Sequence, residues 1–190
     1  EKYENFKEYA ALVKKHRANG ADFIKIMISG LMDFDRCGVL TEPGFPESEI
    51  RELIRIAHQE GFSVMAHANG GQTVCAAAQA GVDSVEHGAY LNEEALYAMA
   101  QAGTVWVPTL STIGNLLGKG RFSETDVRKI LDSALQNVAD YKGLLAAGTD
   151  AGAWAVPHGC ETEVPLLRQI IGPDADAILP RGAAMIMEKF

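Results

Sequence analysis

The chain has 190 residues, of which 47% are hydrophobic and 22% are charged, and its formal net charge is −8. This balance is typical of a globular protein with a sizeable core, and residues 1–190 are predicted to form a single domain. The acidic charge, with no cluster of Lys or Arg, argues against a nucleic-acid surface, and no apolar run approaches the roughly 20 residues that span a membrane. The charged N-terminus is not a secretory signal, and the three cysteines form no CxxC pair, so a reducing cytoplasm is the expected location.

A repeat that is marked by glycines organises the chain. In each unit an amphipathic helix ends in Gly, a short apolar run follows, and a polar residue closes the run, as in QEG-FSVMAH and QAG-VDSVEH. Glycine suits the position after a helix because it adopts the left-handed conformation without steric cost. Apolar residues at three- and four-residue intervals predict helices over 3–18, 47–60, 71–80, 92–102, 124–142 and 174–189.

Between these helices lie the predicted strands. The runs FIKIMI, FSVM, DSV and TVWV barely alternate between apolar and polar residues, which is typical of parallel strands that are buried on both faces, and a last strand lies around LLAAGT. The order α-(βα)5 therefore predicts an all-parallel sheet. Asn92 and Ser123 are predicted to cap helices, and 29–46 and 108–122 are predicted to be long loops.

Polar residues stand at equivalent places near the ends of the predicted strands. These residues are Lys25, His67, His87, Thr109 and Asp150. The carboxyl ends of parallel strands carry the active site in a (β/α)8 barrel, and they also bind ligands in an open doubly wound sheet. The repeat therefore predicts a functional site in either topology.

The residue types at this site point to metal chemistry. His67 and His87 offer two neutral imidazoles and Asp150 offers a carboxylate, a combination that suits zinc. Lys25 stands in FIKIMIS with apolar neighbours on both sides, which predicts a lowered pKa and a nucleophilic amine. Such an amine can form a Schiff base, as in a lyase or aldolase, or a carbamate that bridges two metals. The pair of histidines favours the carbamate.

The motifs GADFIKIMISG, VMAHANG, VDSVEHGAY, VPTL and GTDAG, followed by PHG, resemble the amidohydrolase superfamily, in particular its imidazolonepropionase-like and prolidase-like branch. The resemblance implies an α/β fold that is part of a TIM (β/α)8 barrel, with five βα units corresponding to strands four to eight. It also implies that Lys25 is the carboxylated lysine of the fourth strand. His67 and His87 then match the metal-binding histidines of the fifth and sixth strands, and Asp150 matches the metal ligand and general base of the eighth.

The same resemblance implies the reaction. Zinc-activated water would cleave a C–N bond in a small molecule such as a dipeptide, an N-acyl amino acid or a cyclic amide. Tyr90, Thr109 and His158 are predicted to bind the substrate, because Tyr90 and Thr109 point by position towards the same mouth and His158 lies just past the last strand. The equally weighted alternative for Tyr90 is a half-buried packing residue, and that for His158 is an anchor of its own loop. Trp106 is interpreted as a core residue and Trp154 as a cover on a loop.

One departure from the family pattern concerns completeness. No two histidines of the chain are separated by one residue, so the HxH pair that the family carries at its first strand has no counterpart here. Three βα units are also without counterpart. We therefore expect a fragment of a longer enzyme that is catalytically incomplete by itself, and an unpaired sheet edge that promotes oligomerisation.

Overall fold

Five parallel strands form one sheet in the computed structural model, which describes residues 2–190. The strands lie side by side in chain order, and each pairs in parallel with the next. This arrangement confirms the all-parallel α/β sheet that the glycine repeat predicts. The strands span Phe23–Met27 (β1), Ser63–Ala68 (β2), Ser84–His87 (β3), Val105–Val107 (β4) and Leu144–Leu145 (β5).

Eight α-helices connect and flank these strands in the described part of the chain. The predicted N-caps are confirmed, because the side chain of Asn92 accepts a hydrogen bond from the Ala95 N–H and that of Ser123 accepts one from the Asp126 N–H. None of the described helices is long and apolar enough to cross a membrane. The helices span Phe6–Ala18 (α1), Glu47–Gln59 (α2), Gly71–Gln79 (α3), Glu93–Ala102 (α4), Ser111–Gly114 (α5), Glu124–Asp140 (α6), Glu163–Ile171 (α7) and Ala175–Lys189 (α8).

The helices differ from the predicted ones at three places. Helix α1 begins at Phe6 rather than at residue 3, because the Asn5 side chain accepts a hydrogen bond from the Glu8 N–H and caps the helix there. The short helix α5 lies inside the predicted loop 108–122. Helix α7 is absent from the prediction, although its sequence EVPLLRQII tolerates a proline in the first turn.

The first strand alternates, contrary to the prediction that it is buried on both faces. Ile24 and Ile26 pack into the core, whereas Phe23, Lys25 and Met27 lie on an exposed face. The prediction that Lys25 is buried among apolar neighbours is therefore wrong for the described chain, because its side chain lies on the exposed face of β1. The physical reason is that the main core packs against the Ile24 and Ile26 face of β1, whereas on the other face the Phe190 ring contacts Phe23 and leaves Lys25 and Met27 exposed.

The last helix runs along the N-terminal edge of the sheet. At one place α8 lies so close to β5 that a Cβ atom built on Gly182 would approach the Leu145 carbonyl oxygen to 1.9 Å. At the end of the helix the Phe190 ring packs edge-on against Phe23 of β1, with the ring centroids 5.3 Å apart. Helix α8 therefore connects the two outer strands of the sheet.

The main apolar core lies between the sheet and its helices, and Trp106 of β4 is at its centre. The indole is fully buried and packs edge-on against Tyr141, with the ring centroids 5.3 Å apart. Its Nε1–H donates a hydrogen bond of 3.0 Å to the His87 carbonyl. The interpretation of Trp106 as a core residue is confirmed, and this hydrogen bond supports the end of β3.

Candidate functional site

A cleft of about 430 Å³ opens at the C-terminal edge of the sheet. Its lining includes the four residues predicted to bind metal, Lys25, His67, His87 and Asp150. The first three lie on β1, β2 and β3, and Asp150 follows β5. The structure thus brings together residues that are up to 125 positions apart in the sequence, at the edge where parallel α/β folds carry their sites.

The two histidines converge although their strand registers differ. In the pairing of β2 with β3, His67 stands opposite Glu86 and His87 stands opposite Ala68. Strict alternation along the strands would therefore direct the two imidazoles to opposite faces of the sheet. His87 has a φ of +69°, which turns the end of β3, and the two ring centroids lie 4.6 Å apart. A left-handed backbone thus restores the convergence that the spacing predicts.

Left-handed backbone is concentrated around the predicted site. Among the described residues other than glycine, a positive φ occurs at His87, Tyr90, Thr109 and Asp150, with values from 50° to 69°. Such conformations cost about 1–3 kcal/mol each, and in proteins they cluster at functional sites. All four residues are predicted site residues, so the backbone marks the same positions as the sequence pattern does.

The imidazole of His67 is oriented by a carbonyl and an amide. Its Nε2 lies 3.2 Å from the Gly30 carbonyl oxygen and also 3.2 Å from the Asn69 amide nitrogen. Because the Asn69 amide has the Gly30 carbonyl as an acceptor of its own, we assign the proton to Nε2 and the lone pair to Nδ1. The Asn69 amide donates to the same carbonyl at 3.1 Å, and its Oδ1 accepts a hydrogen bond from the Ala89 N–H. Asn69 is fully buried, and it was not among the predicted site residues although it stands two positions after His67.

The imidazole of His87 is oriented in the opposite sense. Its Nδ1 lies 2.7 Å from the Thr109 hydroxyl, and that hydroxyl donates to the Pro108 carbonyl at 2.8 Å. The hydroxyl must therefore accept from Nδ1–H, which leaves the lone pair on Nε2. The Thr109 hydroxyl thus contacts His87 directly, and the role of Thr109 in substrate binding stays a prediction.

The electrostatic environment keeps both imidazoles neutral. Burial lowers the pKa of His67, and burial, His67 and the ammonium group of Lys25 lower the pKa of His87 to about 3. Neutral imidazoles are the form that binds metal ions. Each ring therefore offers one free nitrogen at neutral pH.

The loop that carries Thr109 is held by a buried carboxylate. Glu163, which is 1% exposed, accepts hydrogen bonds from the Leu110 N–H, the Ser111 N–H and the Ser111 hydroxyl at 2.7–2.9 Å. Burial raises the pKa of Glu163. This anchor is not evident from the sequence pattern, because the helix that begins with Glu163 was not predicted.

Two further predicted residues lie away from the cleft. In the described part of the chain, Tyr90 and His158 are not among the residues that line it. Tyr90 packs half-buried against the main core, and His158 lines a separate depression together with Cys160. Their roles in substrate binding remain predictions.

The residues present fit part of a metal centre. A structural or catalytic zinc site uses three or four protein ligands, and His67 and His87 provide two oriented nitrogens. Within residues 2–190 no three His, Cys, Asp or Glu side chains converge to form a metal-binding group. Lys25 and Asp150 line the same cleft but do not complete such a group in this structure.

Comparison with solved structures places this sheet among amidohydrolase folds. A Xaa-Pro dipeptidase with bound methionine aligns with 98% of the chain and 49% of its own length, with a TM-score of 0.77 and 26% identity. The ochratoxinase of Aspergillus niger aligns with 96% of the chain and 43% of its own length, with a TM-score of 0.76 and 24% identity. The chain thus spans about half the length of these structures or less.

Sequence comparisons agree with this structural similarity. The Aspergillus niger ochratoxinase is 30% identical over 156 residues, which are 76% of the chain and 30% of that protein. An uncharacterized protein of Mycobacterium tuberculosis is 30% identical over 151 residues, which are 75% of the chain and 40% of that protein. The model of the amidohydrolase family matches residues 4–154. This match covers most of the sequence, and the chain therefore belongs to the amidohydrolase family.

Proposed function

We propose that this chain is the portion of a metal-dependent hydrolase that contains strands four to eight of a (β/α)8 barrel. Three findings support the proposal: the strands are all parallel and lie in chain order, the cleft opens at their carboxyl ends, and the chain spans about half the length of similar structures. Residues 1–190 would then be one part of a single barrel domain. The remaining strands would come from the rest of the protein.

The proposed reaction is hydrolysis of a C–N bond. The observation that carries this proposal is the placement of Lys25, His67, His87 and Asp150 around one cleft in a member of the amidohydrolase family. A divalent metal such as zinc, when bound there, would lower the pKa of water and polarise the carbonyl group of the substrate.

The chain's own residues are proposed to act as metal ligands and as the general base. His67 Nδ1 and His87 Nε2 are the nitrogens available as metal ligands. Lys25 lines the cleft, and its amine, once deprotonated, would react with carbon dioxide to give an anionic carbamate that serves as a metal ligand. Asp150 acts as general base, takes a proton from the attacking water and later delivers it to the leaving nitrogen. Further ligands come from the part of the protein outside this chain.

The proposed substrates are small molecules with an amide or peptide bond. The Xaa-Pro dipeptidase among the similar structures is named for cleaving a dipeptide, which supports a dipeptide, an N-acyl amino acid or a cyclic amide as substrate here. The cleft volume of about 430 Å³ is within the range of small-molecule sites.

Metal analysis of the full-length protein tests this proposal. We expect about one or two zinc ions per chain, loss of C–N hydrolase activity after chelation, and recovery when zinc is restored. Full activity in the metal-stripped protein would contradict the proposal. Reduction with borohydride in the presence of substrate provides a further test, because a covalent adduct on Lys25 would indicate Schiff-base chemistry instead.

Substitutions locate the chemistry within the chain. Lys25→Ala and His67→Ala should remove activity and lower the zinc content, because each removes a proposed ligand. His16→Gln is the matched control, since His16 lies on α1 and outside the described lining of the cleft. A zinc content of His67→Ala that equals that of the unaltered protein would show that metal is bound elsewhere.

A further inference from the structure

An arginine at the mouth of the cleft is held between aromatic rings. The Arg121 guanidinium carbon lies 4.1 Å from the centroid of the Trp154 ring and 5.2 Å from that of the Phe122 ring. Phe122 in turn packs edge-on against Trp154, and its ring is tilted against that of Phe34 with the centroids 5.3 Å apart. The loops after β1, β4 and β5 each contribute to this cluster, so its position depends on three segments at once.

Hydrogen bonds fasten these loops to each other. The Ser123 N–H donates to the Asp35 carboxylate at 2.7 Å, and the Cys37 N–H donates to the Asp126 carboxylate at 3.2 Å. The loop after β1 is therefore tied to the start of α6, directly beside Arg121. These contacts restrict the motion of the arginine's own loop, which favours a preorganised binding group over a freely moving one.

The charge of Arg121 is without an acidic partner in the described chain. No carboxylate among residues 2–190 forms an ion pair with it, whereas the neighbouring Arg36 and Arg128 pair with Asp33 and Glu124. A guanidinium that stacks on an aromatic face keeps the N–H donors in its plane available, and these donors match a carboxylate in geometry. In a chain with a net charge of −8, such a cation at a cleft is a specific point of attraction for an anion.

Arg121 shares its cleft with the predicted catalytic residues and with exposed apolar side chains. Trp154, Met27 and Leu31 line the cleft and are 62%, 57% and 52% exposed. Apolar groups that are this exposed beside a cation suit a ligand that combines an apolar body with a negative charge. His87 and Asp150 line the same cleft, so a ligand held there lies beside the proposed reacting groups.

We propose that Arg121 and Trp154 form a carboxylate subsite that selects the substrate. Arg121 binds the free carboxylate, and Trp154, with Met27 and Leu31, contacts the apolar part of a dipeptide or N-acyl amino acid. This inference rests on the proposed hydrolase function and makes it more specific: substrates whose carboxylate is replaced by a neutral group are bound less tightly. Trp154, interpreted from sequence as a loop cover, becomes the platform that orients the arginine.

Binding of two matched ligands to the full-length protein tests the subsite. Phenylpropanoate and phenylpropanol share an apolar body and contain no C–N bond, so calorimetry measures their affinity without turnover. We expect the acid to bind at least about tenfold more tightly than the alcohol, because the Arg121 hydrogen bonds to it are charge-assisted. Arg121→Gln should abolish this preference, and Arg121→Lys should retain only part of it because lysine lacks the planar fork.

Arg128→Gln is the control, since Arg128 is an exposed arginine of α6 outside the described lining of the cleft. It should keep the full preference for the acid. Survival of the preference in Arg121→Gln, or equal affinity of the unaltered protein for both ligands, would overturn the proposal. Failure of the hydrolase proposal gives a different result, in which Arg121-dependent binding of the acid is retained but no C–N bond is cleaved.

Discussion

The two edges of the sheet are built in different ways. At the C-terminal edge, His87, Thr109 and Asp150 have left-handed backbone, and polar and apolar side chains together line an open cleft. At the N-terminal edge, helix α8 packs along the strands, and Phe190 and Gly182 fit closely against the outer strands. One edge thus contains strain and open space, and the other contains close packing.

A single carboxylate, that of Asp83, connects several elements at the N-terminal edge. Asp83, which precedes β3, accepts hydrogen bonds from the Val64 N–H at 2.8 Å and from His58 Nε2 at 2.9 Å, and it lies 3.3 Å from Lys189 Nζ. It therefore joins β2, α2 and α8. In parallel α/β folds, residues at the carboxyl ends of the strands serve the chemistry, whereas those at the opposite ends serve stability. The comparison predicts that substitutions at the C-terminal edge mainly lower activity, whereas those at the N-terminal edge mainly lower stability.

The largest difference between an effect on activity and an effect on stability is expected from His87→Asn. Asparagine tolerates left-handed backbone better than most residues, so the turn at the end of β3 is kept while the Nε2 ligand is lost. Activity of the full-length protein should fall more than about a hundredfold, since even groups that merely support a metal ligand contribute about 10–100-fold. Thermal unfolding should change little. A variant that retains activity would remove His87 from the site, and His87→Ala provides the comparison without the favourable backbone preference.

The opposite edge is tested by Gly182→Ala. Alanine is the better helix former by about 1 kcal/mol, so propensity alone predicts a more stable protein. The added Cβ would meet the Leu145 carbonyl, and overpacking of this kind costs about 1–3 kcal/mol, so we expect a net decrease in the free energy of unfolding. Urea denaturation measures it, and the KM of the full-length protein should stay unchanged.

Whether Gly182→Ala raises or lowers the free energy of unfolding tests the packing of α8 against β5. Ala183, exposed on the same helix, supplies the control, because Ala183→Gly should lower stability by about 1 kcal/mol through propensity alone. An increase in the stability of Gly182→Ala would show that α8 does not pack against β5 as described.

Much of the fold could be predicted because its signals are local. Glycines after helices, apolar periodicity and the caps at Asn92 and Ser123 are each set by a few neighbouring residues. The exposure of Lys25 is not local, because it depends on which distant segments pack over that face of β1. Helix α7 is short, and its buried Glu163 is stabilised by a loop 52 positions away, so its own sequence gave a weak signal.

The candidate site was predictable in position but not in detail. The spacing of Lys25, His67 and His87 from the preceding glycines locates them at strand ends. The proton positions on the imidazoles depend on the Gly30 carbonyl, 37 positions from His67, and on Thr109, 22 positions from His87. The left-handed backbone of His87 likewise depends on tertiary contacts, since residues other than glycine adopt it in only a few per cent of cases.

The smallest expected effect, and the one most sensitive to pH, is that of Asp83→Asn. Burial raises the pKa of Asp83, but the hydrogen bonds from His58 and the Val64 N–H and the charge of Lys189 outweigh it, so the pKa in the folded protein is lowered. A lowered folded pKa contributes stability above the unfolded value of about 3.9, and this contribution is lost as the pH falls through the folded pKa. Asp83→Asn should therefore lower the free energy of unfolding by about 1 kcal/mol at neutral pH, and by less at pH values below about 4.

Urea denaturation across this pH range measures the difference in the free energy of unfolding between Asp83→Asn and the unaltered protein, with the exposed Asp132→Asn as control. A loss of stability that is independent of pH would assign the role of Asp83 to its shape rather than its charge, and an accompanying loss of activity would break the separation between the two edges.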